Sequence, residues 1–333
     1  MNELYPLKFE PILKETIWGG KRLHQVLGKP DKFKHTGECW EISGVEDNIS
    51  VVSEGFLKGN NLEELIEIYM GDLVGDHVYE KFGLRFPLLI KYIDANDVLS
   101  IQVHPDDKLA AERHNSFGKS EMWYIMEHEK DANLIIGFSH NVSKEEYLIK
   151  LNDSSLSEIL NSVKVEKGDA FFLPAGRIHA IGKGILVAEI QQASDLTYRI
   201  YDWNRLDKDG NTRELHIEQA LDAIDYKATK DSKIKYENVL DKTAQVVHCP
   251  YFTTNVLKFE KTIEKEYVNL DSFVVYLCLE GQFNIKSPSG LITSVSKGET
   301  VLIPAELKNL ELIPERHTEI LEIYIEEEKA KHA

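Results

Sequence analysis

Residues 165–179, VEKGDAFFLPAGRIH, align without gaps to residues 295–309, VSKGETVLIPAELKN. Val165, Lys167, Gly168, Pro174 and Ala175 recur as Val295, Lys297, Gly298, Pro304 and Ala305. Each copy reads as a turn, a short apolar strand, a second turn and the start of another strand. In the first copy Gly168-Asp169 opens the unit, Ala170 to Leu173 is the strand, and Pro174-Ala175-Gly176 makes the second turn. There Pro presets φ and Gly permits positive φ. One β-unit written twice restricts the chain to two small barrels of one type. The copies part at one chemically telling position. His179 in the first stands where the second has Asn309, and no histidine occurs between Tyr251 and Arg316. A metal carried by such a fold therefore belongs to the first copy.

The chain is long enough for two domains at 333 residues, and 42% hydrophobic content supplies their cores. A net charge of −17 argues against non-specific nucleic-acid binding and against an anionic membrane surface. An anionic substrate would need a local basic cluster working against that global field. Cys39, Cys249 and Cys278 are too few and too scattered for a disulfide framework or a cysteine zinc site. With no apolar core in the N-terminal MNELYPLKFEPILKE and no run long enough to span a bilayer, the expected setting is a reducing cytoplasm.

Strand patterns dominate from Glu38 to Ser43, Phe86 to Ile93, Val98 to His104, Met122 to Met126 and Asn133 to Phe138. Helical spacing runs from Asn61 to about Phe82 and from Glu214 to Tyr226. Residues 105–120 read as polar and partly helical, and Ser143–Glu146 is a capping box opening two short helices over residues 144–162. Residues 227–247 are charged and loose. The predicted division is a catalytic domain over residues 1–235 and a second, metal-free β domain over residues 236–333.

Alternation along Val98–His104 puts Ser100, Gln102 and His104 on one face. Gln102, His104, Glu121 and His179 are predicted to meet inside the first barrel. Two neutral imidazoles and a carboxylate leave open positions, as a catalytic metal requires, and the set suits zinc, iron or manganese. Lys91 interrupts the apolar FPLLIKYI run, where a lysine is costly unless it is paired or functional. Trp18, beside Gly19 and Gly20, reads as either a core residue or a pocket wall. Arg199 and Arg205 are read as ion-pair partners of Asp195 and Asp202 or as site residues.

GDAFFLPAGRIH matches the second cupin motif, G-D-x4-P-x-G-x2-H, at every fixed position. The first cupin motif is replaced by Gln102-Val103-His104 with a distant Glu121. SIQVHPDD, GKSEMWYI and PAGRIHAIGKGILVAEIQQASDLTYRIYDW, taken in order, resemble type I phosphomannose isomerases, and the likeness runs from Trp18 through Arg205. The resemblance implies a mainly β fold of two cupin (double-stranded β-helix, jelly-roll) barrels. Helical insertions fall near residues 61–82, 105–120, 144–162 and 214–226. It implies one Zn2+ per chain, in the first barrel, held by Gln102, His104, Glu121 and His179. By the same resemblance Arg199, Lys119, Glu189 and Asp195 are catalytic, Lys91, Ser100 and Arg205 hold a substrate phosphate, and Trp18 walls the pocket. The implied reaction interconverts mannose 6-phosphate and fructose 6-phosphate through an enediol. The expected partner is a small sugar phosphate, with neither nucleic acid nor membrane, in a monomer or homodimer. Two rival readings are an iron cupin dioxygenase and a non-catalytic sugar-phosphate sensor.

Overall fold

The computed structural model describes residues 3–206 and 209–327. Its first part contains β1 (Ile12–Gly20), β2 (Thr36–Ser43), β3 (Leu88–Ala95), β4 (Ile101–Val103), β5 (Glu121–His128), β6 (Asn133–Phe138), β7 (Leu160–Lys164), β8 (Ala170–Leu173), β9 (His179–Ile181), β10 (Ile185–Gln192) and β11 (Tyr198–Tyr201). They form a six-stranded sheet in the order β1-β2-β3-β10-β5-β8 and a five-stranded sheet in the order β11-β4-β9-β6-β7. The second part contains β12 (Lys242–His248), β13 (Thr253–Phe259), β14 (Ile263–Glu266), β15 (Val274–Glu280), β16 (Gln282–Lys286), β17 (Ile292–Ser296), β18 (Thr300–Ile303), β19 (Asn309–Pro314) and β20 (Thr318–Tyr324). Its sheets run β12-β13-β20-β15-β18 and β14-β19-β16-β17.

The two orders are the same topology written twice. Removing β1 and β11 from the first part leaves β2-β3-β10-β5-β8 and β4-β9-β6-β7, strand for strand the pattern of the second. The fifteen-residue repeat is thus the visible remnant of a nine-strand duplication. Gly168 and Gly298 adopt nearly the same positive φ, 90° and 87°, so their turn belongs to the architecture rather than to any site.

In each pair the sheets pack face to face. Ile93, Trp123 and Val187 of one sheet meet Leu134, Ile136 and Ile181 of the other, and Leu257, Tyr276 and Ile320 meet Phe283, Ile285 and Leu312. The sheets stay open, and among the described residues no strand ladder joins the two members of a pair. The expected closed barrels are therefore two sandwiches in this structure. The reason is visible at the turn after β8. Pro174 has no N–H to donate, and Gly176 takes φ 86°, so the ladder breaks where the chain crosses to β9 in the facing sheet. The two parts also share a core, in which Leu7, Ile42 and Tyr92 pack with Val256, Leu277 and Leu302.

The helices are shorter than the sequence pattern suggests. The stretch expected over residues 61–82 is α1 (Leu62–Val74) and α2 (Asp76–Phe82), broken at Gly75 with φ 94°, and Met70 inside α1 is non-helical. Asn61 and Glu64 form a reciprocal capping box at the start of α1, a device contributing about 1 kcal/mol. The insertion at residues 105–120 holds α3 (Asp107–His114). α4 (Lys144–Asn152) is followed by a single 3-10 turn, because β7 already begins at Leu160. Only Ile217–Ala223 of the span 214–226 is helical, as α5. A further single turn of helix, Arg22–Gln25, follows β1. Among the described residues no helix is long and apolar enough to cross a membrane.

Candidate functional site

Strand register gathers the predicted ligands. β4 pairs with β9 at Gln102↔His179 and with β11 at Arg199↔Gln102, so these three residues lie side by side across one sheet. The strand expected over Val98–His104 is regular only from Ile101 to Val103, yet His104 still falls on the face of Gln102. Glu121 is the first residue of β5, in the facing sheet.

His104, Glu121 and His179 bring ligand atoms within 4.8 Å of one another, and each residue is 1% exposed. His104 Nε2 lies 3.5 Å from Glu121 Oε2, and His179 Nε2 lies 3.3 Å from Glu121 Oε1. Both rings are oriented from behind. His104 Nδ1 is 2.8 Å from the Leu196 carbonyl, and His179 Nδ1 is 2.8 Å from the Arg177 carbonyl. A carbonyl only accepts, so each Nδ1 carries the proton and each Nε2 presents a lone pair to the centre. His104 Nε2 and both Glu121 oxygens are buried without a hydrogen-bond partner. Orphaned buried acceptors are costly, and a cation placed among them removes that cost. The donor set of two imidazoles and a carboxylate fits a divalent transition metal. The Gln102 side-chain nitrogen Nε2 lies 3.2 Å from His179 Nε2, and a half-turn of the amide about its last torsion brings the oxygen to that point.

Electrostatics agree with that arrangement. Burial, reinforced by the negative Glu189, pushes the Glu121 carboxyl up to about 8. Burial takes His179 down to about 3, and burial with the positive Lys119 nearby holds His104 well below its ordinary value. The protein alone thus holds both imidazoles unprotonated and ready to ligate.

Beside this floor lies a cavity of about 310 Å³. An in-register row crosses β2-β3-β10-β5 here, Trp40, Lys91, Glu189 and Trp123, and its middle two residues line the cavity. Lys91 Nζ lies 3.1 Å from Glu189 Oε1 and 3.1 Å from Glu38 Oε2. Burial alone would lower the Lys91 pKa, and the two carboxylates outweigh it, so the ammonium is held charged. Trp123 Nε1 donates to Glu189 Oε2 at 2.7 Å, and its ring meets His179 edge-on. Lys119 Nζ lies 3.7 Å from Glu121 Oε2. Ser100, Gln102, Lys119, Asp195, Arg199 and Trp18 also line the cavity. Asp195 stands next to Leu196, whose carbonyl anchors His104. Gly37 gives the Trp18 ring its room, since a Cβ there would approach the ring to 2.6 Å.

Arg205 is placed differently from the other predicted residues. Its guanidinium donates to the Val98 carbonyl and to Asp202, and it is not among the cavity-lining residues. Two charged cavity residues escape the sequence reading, Glu38 and Arg213, and so does Trp123, which holds Glu189 from outside the cavity lining. Glu38 lies two residues before Trp40 on the same strand face and accepts its indole N–H at 2.7 Å. Alternation within ECWEIS carries that signal, but not the identity of the partner strand. Arg213 sits in an irregular loop with no periodic signal.

A sequence model described as "Phosphomannose isomerase type I, catalytic domain" matches residues 6–139. The mannose-6-phosphate isomerase ManA of Bacillus subtilis is 37% identical over 314 residues, covering 92% of this chain and 95% of that protein. The mannose-6-phosphate isomerase of Streptococcus mutans is 34% identical over 306 residues, covering 91% and 94%. A crystal structure of the mannose 6-phosphate isomerase from Bacillus subtilis superimposes with a TM-score of 0.85 at 33% identity, over 96% of this chain and 99% of that one. With relatives matched over nearly their whole length and its histidines and glutamate gathered at one buried point, this chain belongs to the type I phosphomannose isomerase family.

Proposed function

We propose that the chain interconverts mannose 6-phosphate and fructose 6-phosphate through an enediol, as a cytoplasmic, zinc-dependent aldose-ketose isomerase. The two sandwiches are read as two cupin units, over residues 1–235 and 236–333, with one Zn2+ in the first. The observation that carries the reading is the buried triad His104, Glu121 and His179, with its orphaned acceptors, next to Gln102 and Lys119 of a cavity lined by carboxylates and arginines. His104, Glu121 and His179 would hold the zinc, with Gln102 beside them. When bound, zinc polarises the sugar oxygens at C1 and C2 and steadies negative charge developing there.

The remaining work falls to the protein. A carboxylate must take the proton from C2 and return it to C1 on the same face. We assign that carrier to Glu189, because Trp123 fixes one of its oxygens and Lys91 neutralises the other side. A base held in one orientation is spared the entropy of being placed during the reaction. Asp195 accepts from substrate hydroxyls. Lys119 offsets the charge of Glu121 at the floor. Arg199, cross-strand from Gln102, donates to the enediolate. Trp18 excludes water from one side. The dioxygenase alternative explains neither the Lys91–Glu189 pair nor the arginine at the wall. A silent sensor would not need a fixed carboxylate beside the metal.

The test is a coupled assay with mannose 6-phosphate on protein as purified, after chelation, and after zinc add-back. Turnover that vanishes with the metal and returns with zinc supports the reading. Turnover that persists in metal-free protein overturns it.

A further inference from the structure

The second unit has its own version of the polar row beside the first cavity. Asn255, Glu322 and Tyr276 pair across β13-β20-β15 as Lys91, Glu189 and Trp123 pair across β3-β10-β5. Val256, Leu321 and Ile323 lie in the core shared by the two units, so strand alternation turns Asn255 and Glu322 into the second sandwich. Beside them is a cavity of about 610 Å³, lined in part by Asn255, Lys265, Tyr267, Glu322 and Tyr324. Small-molecule sites occupy roughly 300–1,000 Å³, so the space is ample for one. Tyr92 and Ile190, next to Lys91 and Glu189, belong to the same shared core, so the two cavities fall on opposite sides of it.

The floor of this cavity is a closed polar network. Glu322 and Asn255 are both buried. Lys265 Nζ lies 2.7 Å from Glu322 Oε1 and donates to Thr243 Oγ1 at 3.0 Å. Tyr267 donates to the same carboxylate oxygen, and its hydroxyl also bonds that of Tyr276. Asn255 Nδ2 donates to Glu322 Oε2 at 2.9 Å and reaches the Tyr324 hydroxyl at 3.3 Å. Burial pushes the Glu322 carboxyl up, and Lys265 with these hydrogen bonds outweighs that and keeps it charged. Replacing a buried ion pair by well-packed apolar residues is often neutral or stabilising, so packing alone does not account for this one. Such a replacement is present nearby. Val274 pairs with Ile303 where Glu121 pairs with Leu173. The second unit thus lacks the carboxylate of the candidate metal site and has a polar floor all the same.

Charge sets the ligand class. In the first cavity Lys91, Lys119, Arg199 and Arg213 face Glu38, Glu189 and Asp195. In the second, Lys265 alone faces Glu266, Asp271, Glu322, Glu326 and Glu327. That balance repels a phosphate. An ammonium ion would in turn meet Lys265 at the floor. Amide, phenol and hydroxyl groups that donate and accept at short range match hydroxyls, which also do both. We propose that the second unit binds an uncharged, polyhydroxylated ligand of monosaccharide size in this cavity, with Asn255, Tyr324 and Lys265 meeting its hydroxyls and Glu322 orienting those donors. The site is separate from the first cavity and does not depend on turnover there.

The test is calorimetric titration of the zinc-loaded full chain with free mannose, with free fructose and with spermidine. Wild type is compared with Asn255→Leu and Tyr324→Ala in the second cavity and with Glu189→Gln in the first, and urea midpoints identify the variants that fold. Tyr324 makes no contact with Glu322, so Tyr324→Ala serves if Asn255→Leu does not fold. A free hexose is expected to bind wild type and Glu189→Gln at millimolar concentration, and at least tenfold more weakly to a folded second-cavity variant. Absence of hexose binding to wild type overturns the proposal. So does hexose binding that Glu189→Gln abolishes and both second-cavity variants retain, which places the sugar in the first cavity. Spermidine binding that the second-cavity variants abolish, without hexose binding, overturns the ligand class.

Discussion

Lys91 is the residue whose removal separates electrostatics from packing most cleanly. Its ammonium lies 3.1 Å from each of two carboxylates, Glu38 and Glu189, and its side chain is only 6% exposed. At an effective dielectric of about 20, each contact carries about 5 kcal/mol of attraction. Burying the ammonium takes back much of that, so the net value of the network is far smaller than the sum. Lys91→Met keeps the volume and removes the charge. It leaves the buried Glu189 and the partly exposed Glu38 facing each other without a cation, and the expected loss is about 3 kcal/mol. Burial pushes the Glu38 carboxyl up, but Lys91 and the Trp40 hydrogen bond outweigh that and hold it below the usual range. A depressed carboxylate contributes stability that is present above its unfolded pKa, about 4.3, and is lost as pH falls through its folded value. The gap between variant and wild type is therefore at its full size above about pH 4.3 and narrows as pH falls below that through the depressed folded value of Glu38. Urea unfolding of both proteins across that range reads the difference, and Lys91→Met with Glu189→Gln should regain part of the loss. A gap below about 1 kcal/mol, or one that does not change with pH, would refute the reasoning.

Two further outcomes follow from the same geometry. His179→Asn, which copies the residue of the second unit, removes one of three close donors. It should abolish stoichiometric zinc binding and isomerase turnover while leaving the urea midpoint of the metal-free protein nearly unchanged; metal content by atomic absorption checks it. Gly37→Ala drives a Cβ to 2.6 Å from the Trp18 ring and 2.0 Å from Thr16 Oγ1. The expected result is a loss of about 1–3 kcal/mol in thermal or urea stability, together with a raised KM as the tryptophan is displaced from the cavity wall.

The gathering of Gln102, His104 and His179 at one place was legible in the sequence because it rests on short-range rules. Strand alternation put Gln102 and His104 on one face, and the repeat singled out His179 by giving Asn309 in its place. Lys91 was conspicuous because a charge inside an apolar run needs a reason. The residues that escaped depend on long-range register. Trp123 reads as an ordinary core aromatic until β5 is paired with β10 and its indole lands on Glu189. Glu38 is an unremarkable strand glutamate until β2 and β3 align Trp40 with Lys91. Arg205 and Arg213 are eight residues apart in one loop, and nothing local says which of them turns inward. The helix ends were over-extended for a related reason. Apolar spacing continues through Gly75, while the backbone there takes φ 94° and ends one helix before the next begins.

The duplication explains why the candidate metal group found among the described residues lies in the first unit. Register equates Gln102, His104, Glu121 and His179 with Glu266, Val268, Val274 and Asn309. Two of the replacements are valines, so the second unit has lost donors rather than rearranged them. The same register equates Glu189 with Glu322 and Lys91 with Asn255. The carboxylate persists, served there by Tyr267 and Lys265. Ligand types alone do not account for the difference. Val268 is 57% exposed, whereas His104 is 1% exposed. Between His104 and Glu121 the first unit inserts residues 105–120, with α3 capped by Asp106. Asp107 then closes this insertion on its own Gly118 and ties it to Gln192 and Tyr251. The second unit spans the same gap with residues 269–273 alone. A closed, dry floor is what raises the cost of unpaired acceptors, so the insertion is as much a part of the candidate metal site as the side chains it covers.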